Sequence, residues 1–143
     1  MAQGDVTVFD EAKLALLNGT HDLDTHSFKL ALCDNTVAPT AATATPVLAD
    51  FTQVGVAGSY ISGGTALTIT LTEAGGTVTY DATNNPTWAQ NASNDVDAYW
   101  GILYNDTNAG KEAIAFVDLG GPVDMTAGDL TVTWNASGIF TLA

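Results

Sequence analysis

Thr20-His21-Asp22-Leu23-Asp24-Thr25-His26 places two histidines and two aspartates within one short segment. These residue types ligate zinc through imidazole nitrogen and carboxylate oxygen. A zinc site also needs ligands that converge from elsewhere. The rest of the chain holds no further histidine and a single cysteine, Cys33, so the remaining ligands would have to be distant carboxylates. We read the segment as a polar turn and assign no metal ligand. Cys33 lies in the apolar run Phe28-Lys29-Leu30-Ala31-Leu32-Cys33 and reads as a small buried hydrophobe. A reactive thiol needs an activating base or cation beside it, and the sequence points to none. A lone cysteine also forms no intrachain disulfide.

Asp81-Ala82-Thr83-Asn84-Asn85 and Asn94-Asp95-Val96-Asp97 resemble fragments of calcium loops. Neither has the alternating ligands with a distant glutamate that a full loop requires, so both read as solvated turns. Ser59, Ser62, Ser93 and Ser137 stand outside any Gly-x-Ser-x-Gly elbow. Gly63-Gly64, Gly75-Gly76 and Gly120-Gly121 lack the lysine or helix start that cradles phosphate. Glu11, Glu73 and Glu112 are scattered. A pair of carboxylates can still meet in space, but a sandwich of this length leaves little room for a walled cleft. No catalytic or cofactor-binding residue is assigned, and the expectation is a protein that is not an enzyme and holds no cofactor.

The charge balance narrows the partners. Three lysines and no arginine stand against sixteen acidic residues, a formal −13. So few cations neutralise few phosphates, which argues against nucleic acid and against anionic membrane surfaces. The acidity keeps an abundant protein soluble and complements a basic patch on a partner. No apolar stretch approaches the ~20 residues of a membrane span, and no secretory leader is apparent. Synthesis in a host cytoplasm is the expectation.

The residues that position these side chains are mostly strand formers. The chain has 143 residues, 46% of them hydrophobic and only 13% charged, the size and character of one folded domain. One helix is expected over residues 9–19, with Asp10 as its cap, Phe9 and Leu14 as a hydrophobic staple and Gly19 as its left-handed stop. Residues 1–8 read as an N-terminal arm and residues 34–50 as a long loop, both candidate contact elements.

Strands follow at 25–33, 67–72 and 77–80, then from Thr87, over 96–104 (apolar on both faces, hence central), 112–119, 130–134 and 139–142. Gly120-Gly121-Pro122 is expected to break the sixth of these. Roughly eight short strands with turns about every ten residues indicate an all-β, single-domain sandwich, jelly-roll-like, spanning 1–143. Trp100 and Trp134 read as core, and Trp88 is the least determined of the three tryptophans. A tryptophan exposed on a flat face would instead suggest a carbohydrate-binding module.

Several stretches, in this order, resemble a family of small virion proteins of tailed bacteriophages. They are Ala15-Leu16-Leu17-Asn18-Gly19 leading to Asp22-Leu23-Asp24-Thr25, then Phe28-Lys29-Leu30-Ala31-Leu32-Cys33-Asp34, Tyr60-Ile61-Ser62-Gly63-Gly64, and Tyr99-Trp100-Gly101-Ile102-Leu103-Tyr104. The last is Val132-Thr133-Trp134-Asn135-Ala136-Ser137-Gly138-Ile139-Phe140-Thr141-Leu142. The family looks like cement or head-decoration proteins. The resemblance implies a structural protein on the outer capsid surface, bound to the major capsid protein and self-associating as a dimer or trimer. A minor tail or fibre protein is the alternative. The resemblance supplies no residue-level binding motif.

Overall fold

The computed structural model describes residues 4–143. In chain order the elements are β1 (Val6–Val8), α1 (Asp10–Leu17), β2 (Phe28–Cys33), β3 (Thr65–Leu67), β4 (Ile69–Ala74) and β5 (Thr77–Ala82). They continue with β6 (Thr87–Trp88), β7 (Ala98–Asn105), β8 (Ala113–Val123), β9 (Leu130–Thr131) and β10 (Phe140–Leu142); a turn of 3-10 helix covers Leu48–Asp50. A five-stranded sheet has the order β1-β8-β7-β2-β3, a three-stranded sheet β10-β5-β4, and β6 pairs with β9. All pairings are antiparallel. The all-β reading holds. This strand order does not by itself establish a jelly roll.

Hydrophobic patterning explains the layers. β7, apolar on both faces, is the centre of the large sheet between β8 and β2. β4 and β5 alternate, join at the two-residue turn Gly75-Gly76, and pair from Ile69 with Ala82 to Ala74 with Thr77. The two sheets meet where the Phe28 and Tyr80 rings pack edge to face, 5.8 Å between centroids. Phe28, Leu30, Leu32, Ile102, Ile114 and Phe116 are all at most 1% exposed. Burying each such side chain is worth about 1.5–3 kcal/mol, so the core, with no disulfide, carries the fold.

Four expectations are corrected. First, Phe9, not Asp10, occupies the helix cap position and makes no side-chain cap bond. Asp10 is the first helical residue and pairs with Lys13 at 2.7 Å. The helix start is set by burial instead: Phe9 is fully buried, packed on Phe116 at 5.1 Å and Phe51 at 6.1 Å. Leu14 is 65% exposed, so no staple forms. The helix stop is as expected. Gly19 has φ +83°, and the Thr20 amide reaches back to the Ala15 carbonyl at 2.9 Å.

Second, residues 6–8 are not a free arm. They form β1, paired with β8 from Val6 with Val117 to Val8 with Ala115; residues 1–3 of the expected arm lie outside the described residues. Third, Gly120-Gly121-Pro122 does not end the strand. β8 runs on to Val123, which pairs with Ala98, while Asp118 pairs with Trp100. Residues 119–122 therefore bulge opposite the single residue Tyr99. The positive φ of Gly120 and Gly121 (86° and 103°) absorbs the extra residues. Fourth, the expected strand over 25–33 starts only at Phe28, because residues 22–27 turn, the His26 amide bonding the Asp22 carbonyl.

Candidate functional site

The histidine segment folds as a turn over the end of β7. Asn105, fully buried, directs its amide nitrogen at Nδ1 of His21 (3.1 Å) and of His26 (2.8 Å). Its Oδ1 accepts the backbone amides of Thr107 and Asn108. Asp22 Oδ1 accepts the amides of Asp24 and Thr25. The Thr25 side chain, then those amides, hold its carboxyl below the usual range. The two Nδ1 lone pairs thus serve an asparagine. Among the described residues no group of three or more His, Cys, Asp or Glu is arranged to hold a metal ion.

The calcium-loop fragments are used as fasteners. Asn94 is buried; its Oδ1 accepts the Ser59 amide at 2.6 Å, and its amide nitrogen bonds the Ala89 and Met125 carbonyls. Asn84 Oδ1 accepts the Thr68 amide, and Asn85 Oδ1 that of Trp134. Asp95 accepts the Gly55 amide at 2.7 Å, the main cause of its depressed pKa. The neighbouring Asp95 side chain, with burial, raises the Asp97 carboxyl above its usual range. These side chains pin loops.

The residues 34–50 loop is stitched down rather than extended. Asn35 accepts from Trp100 Nε1 at 3.0 Å, Ala41 O from the Asp10 amide, and Glu11 from the Thr45 amide. Val47 bridges Glu112. No tryptophan presents a flat open face. Trp88 is 3% and Trp134 9% exposed, and Trp100 is half-buried against Phe116. Leu130, Val132 and Trp134 do share the inward face, as their spacing indicates.

Two surface features stand out. One is electrostatic: every lysine is held by an aspartate, Lys13 by Asp10, and Lys29 and Lys111 both by Asp106 at 3.0 and 2.9 Å. Lys111, then Lys29, holds the Asp106 carboxyl below the usual range. The chain has no other lysine or arginine, so no such side chain is left over for phosphate. The other feature is apolar. Leu17 is 82% and Leu142 64% exposed, and both line one shallow groove of about 210 Å³ with Leu16, Leu71, Val78 and Phe140. The sequence did not reveal this face, because its parts come from α1, the β4–β5 hairpin and the last strand. The only local signal was an apolar residue at a helix end and another at the chain end.

No protein-family model matches the chain, and neither a curated protein nor a solved structure matches it significantly. No helix among the described residues is long and apolar enough to cross a membrane.

Proposed function

We propose that this chain is a structural protein of a tailed-phage virion, a decoration protein on the outer face of the major capsid protein lattice. The observation that carries the reading is the apolar face of Leu17, Leu142 and their neighbours within an otherwise anionic exterior. Exposed contiguous apolar surface marks an interaction site, and the surrounding acidity suits a partner surface of opposite sign. Covering a leucine fully contributes up to about 1.5–3 kcal/mol. A contact of this size is modest alone and is multiplied by a repeating lattice. The anionic surface also fits the outside of a shell better than an inside that faces packaged DNA. Self-association on the lattice and the absence of catalysis belong to the same reading. The buried tryptophans weigh against the carbohydrate-binding alternative.

The test uses shells stripped of this protein, mixed with wild-type chain or the double variant Leu17→Glu/Leu142→Glu, read by sedimentation and by mass spectrometry of the pellet. Wild type is expected to saturate at a lattice multiple, and the variant to bind at least tenfold more weakly. Saturable binding unaffected by the substitutions would remove this face from the docking surface. No binding by wild type, or a copy number fit for a tail, would remove the capsid reading. Deleting residues 2–8 is not a clean test, since it strips β1 from the large sheet.

A further inference from the structure

A second groove, of about 500 Å³, runs between the edge strand of the large sheet and the chain leading out of β9. One wall is the start of β1. The Phe9 amide bonds Ile114 O, and the Asp118 amide bonds Asp5 O, so from Asp5 onward the odd-numbered residues turn their backbone toward β8; Gly4, whose amide bonds Asp118 O, breaks the alternation just before β1. By antiparallel alternation Val6 and Val8 turn theirs outward. The other wall is the segment through Thr131 and Thr133. The Val132 amide bonds Pro86 O, and among the described residues β9 pairs only with β6, so Thr131 and Thr133 turn their backbone away from that pairing. Val6, Thr131 and Thr133 all line the groove.

Two strand edges facing one cleft form a template for a strand laid between them. The lining also has a sign: it includes Asp5, Asp118 and Asp129 and no lysine, arginine or histidine. Val117 and Trp134, both buried, add apolar surface.

We infer that this groove binds an extended, cationic segment of a partner protein by strand addition, hydrogen-bonded to Val6 on one side and Thr131 and Thr133 on the other. Charge selects against a second copy of this chain, which carries −13 and has no free lysine to offer. The inference does not depend on the capsid reading. It needs only a basic extended segment, and its outcome leaves the Leu17/Leu142 test untouched.

The experiment titrates nitrogen-15-labelled full-length protein with a blocked peptide of alternating lysine and valine, and with a glutamate–valine control. Amide shifts are expected at Val6, Val8, Thr131 and Thr133 with the lysine peptide only, with affinity falling at least tenfold from 50 to 500 mM salt. Val6→Pro removes an outward N–H that the β1–β8 ladder does not use and should weaken binding at least tenfold. Asp129→Asn keeps the acceptor for the Gln90 amide and should weaken it severalfold. If Val6→Pro fails to fold, Asp129→Asn with the salt series decides. Equal binding of the acidic peptide, shifts confined to other faces, or a concentration-dependent dimer abolished by Val6→Pro would each overturn the proposal.

Discussion

Nδ2 of Asn105 lies 3.1 Å from Nδ1 of His21, and this contact fixes the tautomer of the imidazole. Asn105 cannot turn over, because its Oδ1 already accepts two backbone amides, from Thr107 and Asn108. Its nitrogen must therefore donate, and His21 Nδ1 must be the unprotonated acceptor. His26 is fixed the same way, by Asn105 and by the Asp22 amide at 3.4 Å. Both rings carry their proton on Nε2, and a proton on His21 Nδ1 would face a donor.

Acid should therefore weaken the fold through His21. Burial lowers its pKa below 6.5; Glu112 opposes that shift and His26 adds to it. The unfolded chain then binds the proton more readily than the folded one. The His21 contribution is full above pH 6.5 and is lost as pH falls from there through the depressed folded value. The depressed carboxyls of Asp22, Asp95, Asp106 and Asp124 act in the same sense at lower pH, and the raised Asp97 acts against them. Urea midpoints from pH 5 to 8 should be flat at the alkaline end and decline below 6.5, and His21→Gln should flatten the decline. A midpoint that rises toward pH 5 would contradict this account.

Removing Asn105 should cost more than removing either histidine. Asn105→Ala strands the Thr107 and Asn108 amides and both Nδ1 atoms, and each buried unsatisfied group costs about 1–3 kcal/mol. Because some of these groups reach water, the expected total is about 2–4 kcal/mol, measured by urea unfolding. Asn105→Asp should do no better, since a carboxylate cannot donate to imidazole. A loss under about 1 kcal/mol for Asn105→Ala would show that the turn is held elsewhere.

Much of this was legible in the residues, and the misses share a cause. The Thr-rich alternation of β4 and β5 and the two-sided apolar run of β7 are local signals, and local period determined them. Trp134 fell inward with Leu130 and Val132 for the same reason. Cap assignment at Asp10 failed because the burial of Phe9 against Phe51 and Phe116, residues distant in sequence, decides where α1 begins. Gly120-Gly121 signals an irregular backbone, but the sequence does not say whether a neighbour pairs on its far side. At the sites, the His21–His26 segment was visible as a polar turn, while its partner Asn105 lies 84 and 79 positions away. The Leu17–Leu142 face and the β1–β9 groove arise only when the sheets assemble.

Tyr80 offers a substitution expected to stabilise. Its ring stacks on Phe140 at 4.7 Å and meets Phe28 edge on, but its hydroxyl is buried with no hydrogen-bond partner among the described residues. Burial alone pushes the phenol pKa far upward. Tyr80→Phe keeps both ring contacts and removes the stranded hydroxyl, so stability should hold or rise by about 1 kcal/mol. Tyr80→Ala should cost about 3–5 kcal/mol through loss of the ring. Paired urea or thermal unfolding checks both. A loss above about 1 kcal/mol for Tyr80→Phe would mean that the hydroxyl has a partner, such as a buried water.

Cys33 should report unfolding and nothing else. It is fully buried at the end of β2, paired with Trp100 on one side and bridged to Gln53 on the other. Burial, with a smaller push from Asp34, raises its thiol pKa to about 12. At pH 8 the folded chain therefore presents neither an accessible sulfur nor a thiolate, and only the unfolded chain supplies both. A chromogenic disulfide reagent should leave native protein unlabelled over the time in which urea-unfolded protein reacts completely. The native labelling rate should rise with urea in step with the opening equilibrium. Cys33→Ser would bury a hydroxyl at the same point and should cost about 1–3 kcal/mol, whereas Cys33→Ala loses mainly the packing of one sulfur atom. Rapid labelling in native buffer, or a serine variant as stable as the alanine variant, would place Cys33 at an open surface and contradict the packing of β2 against β7.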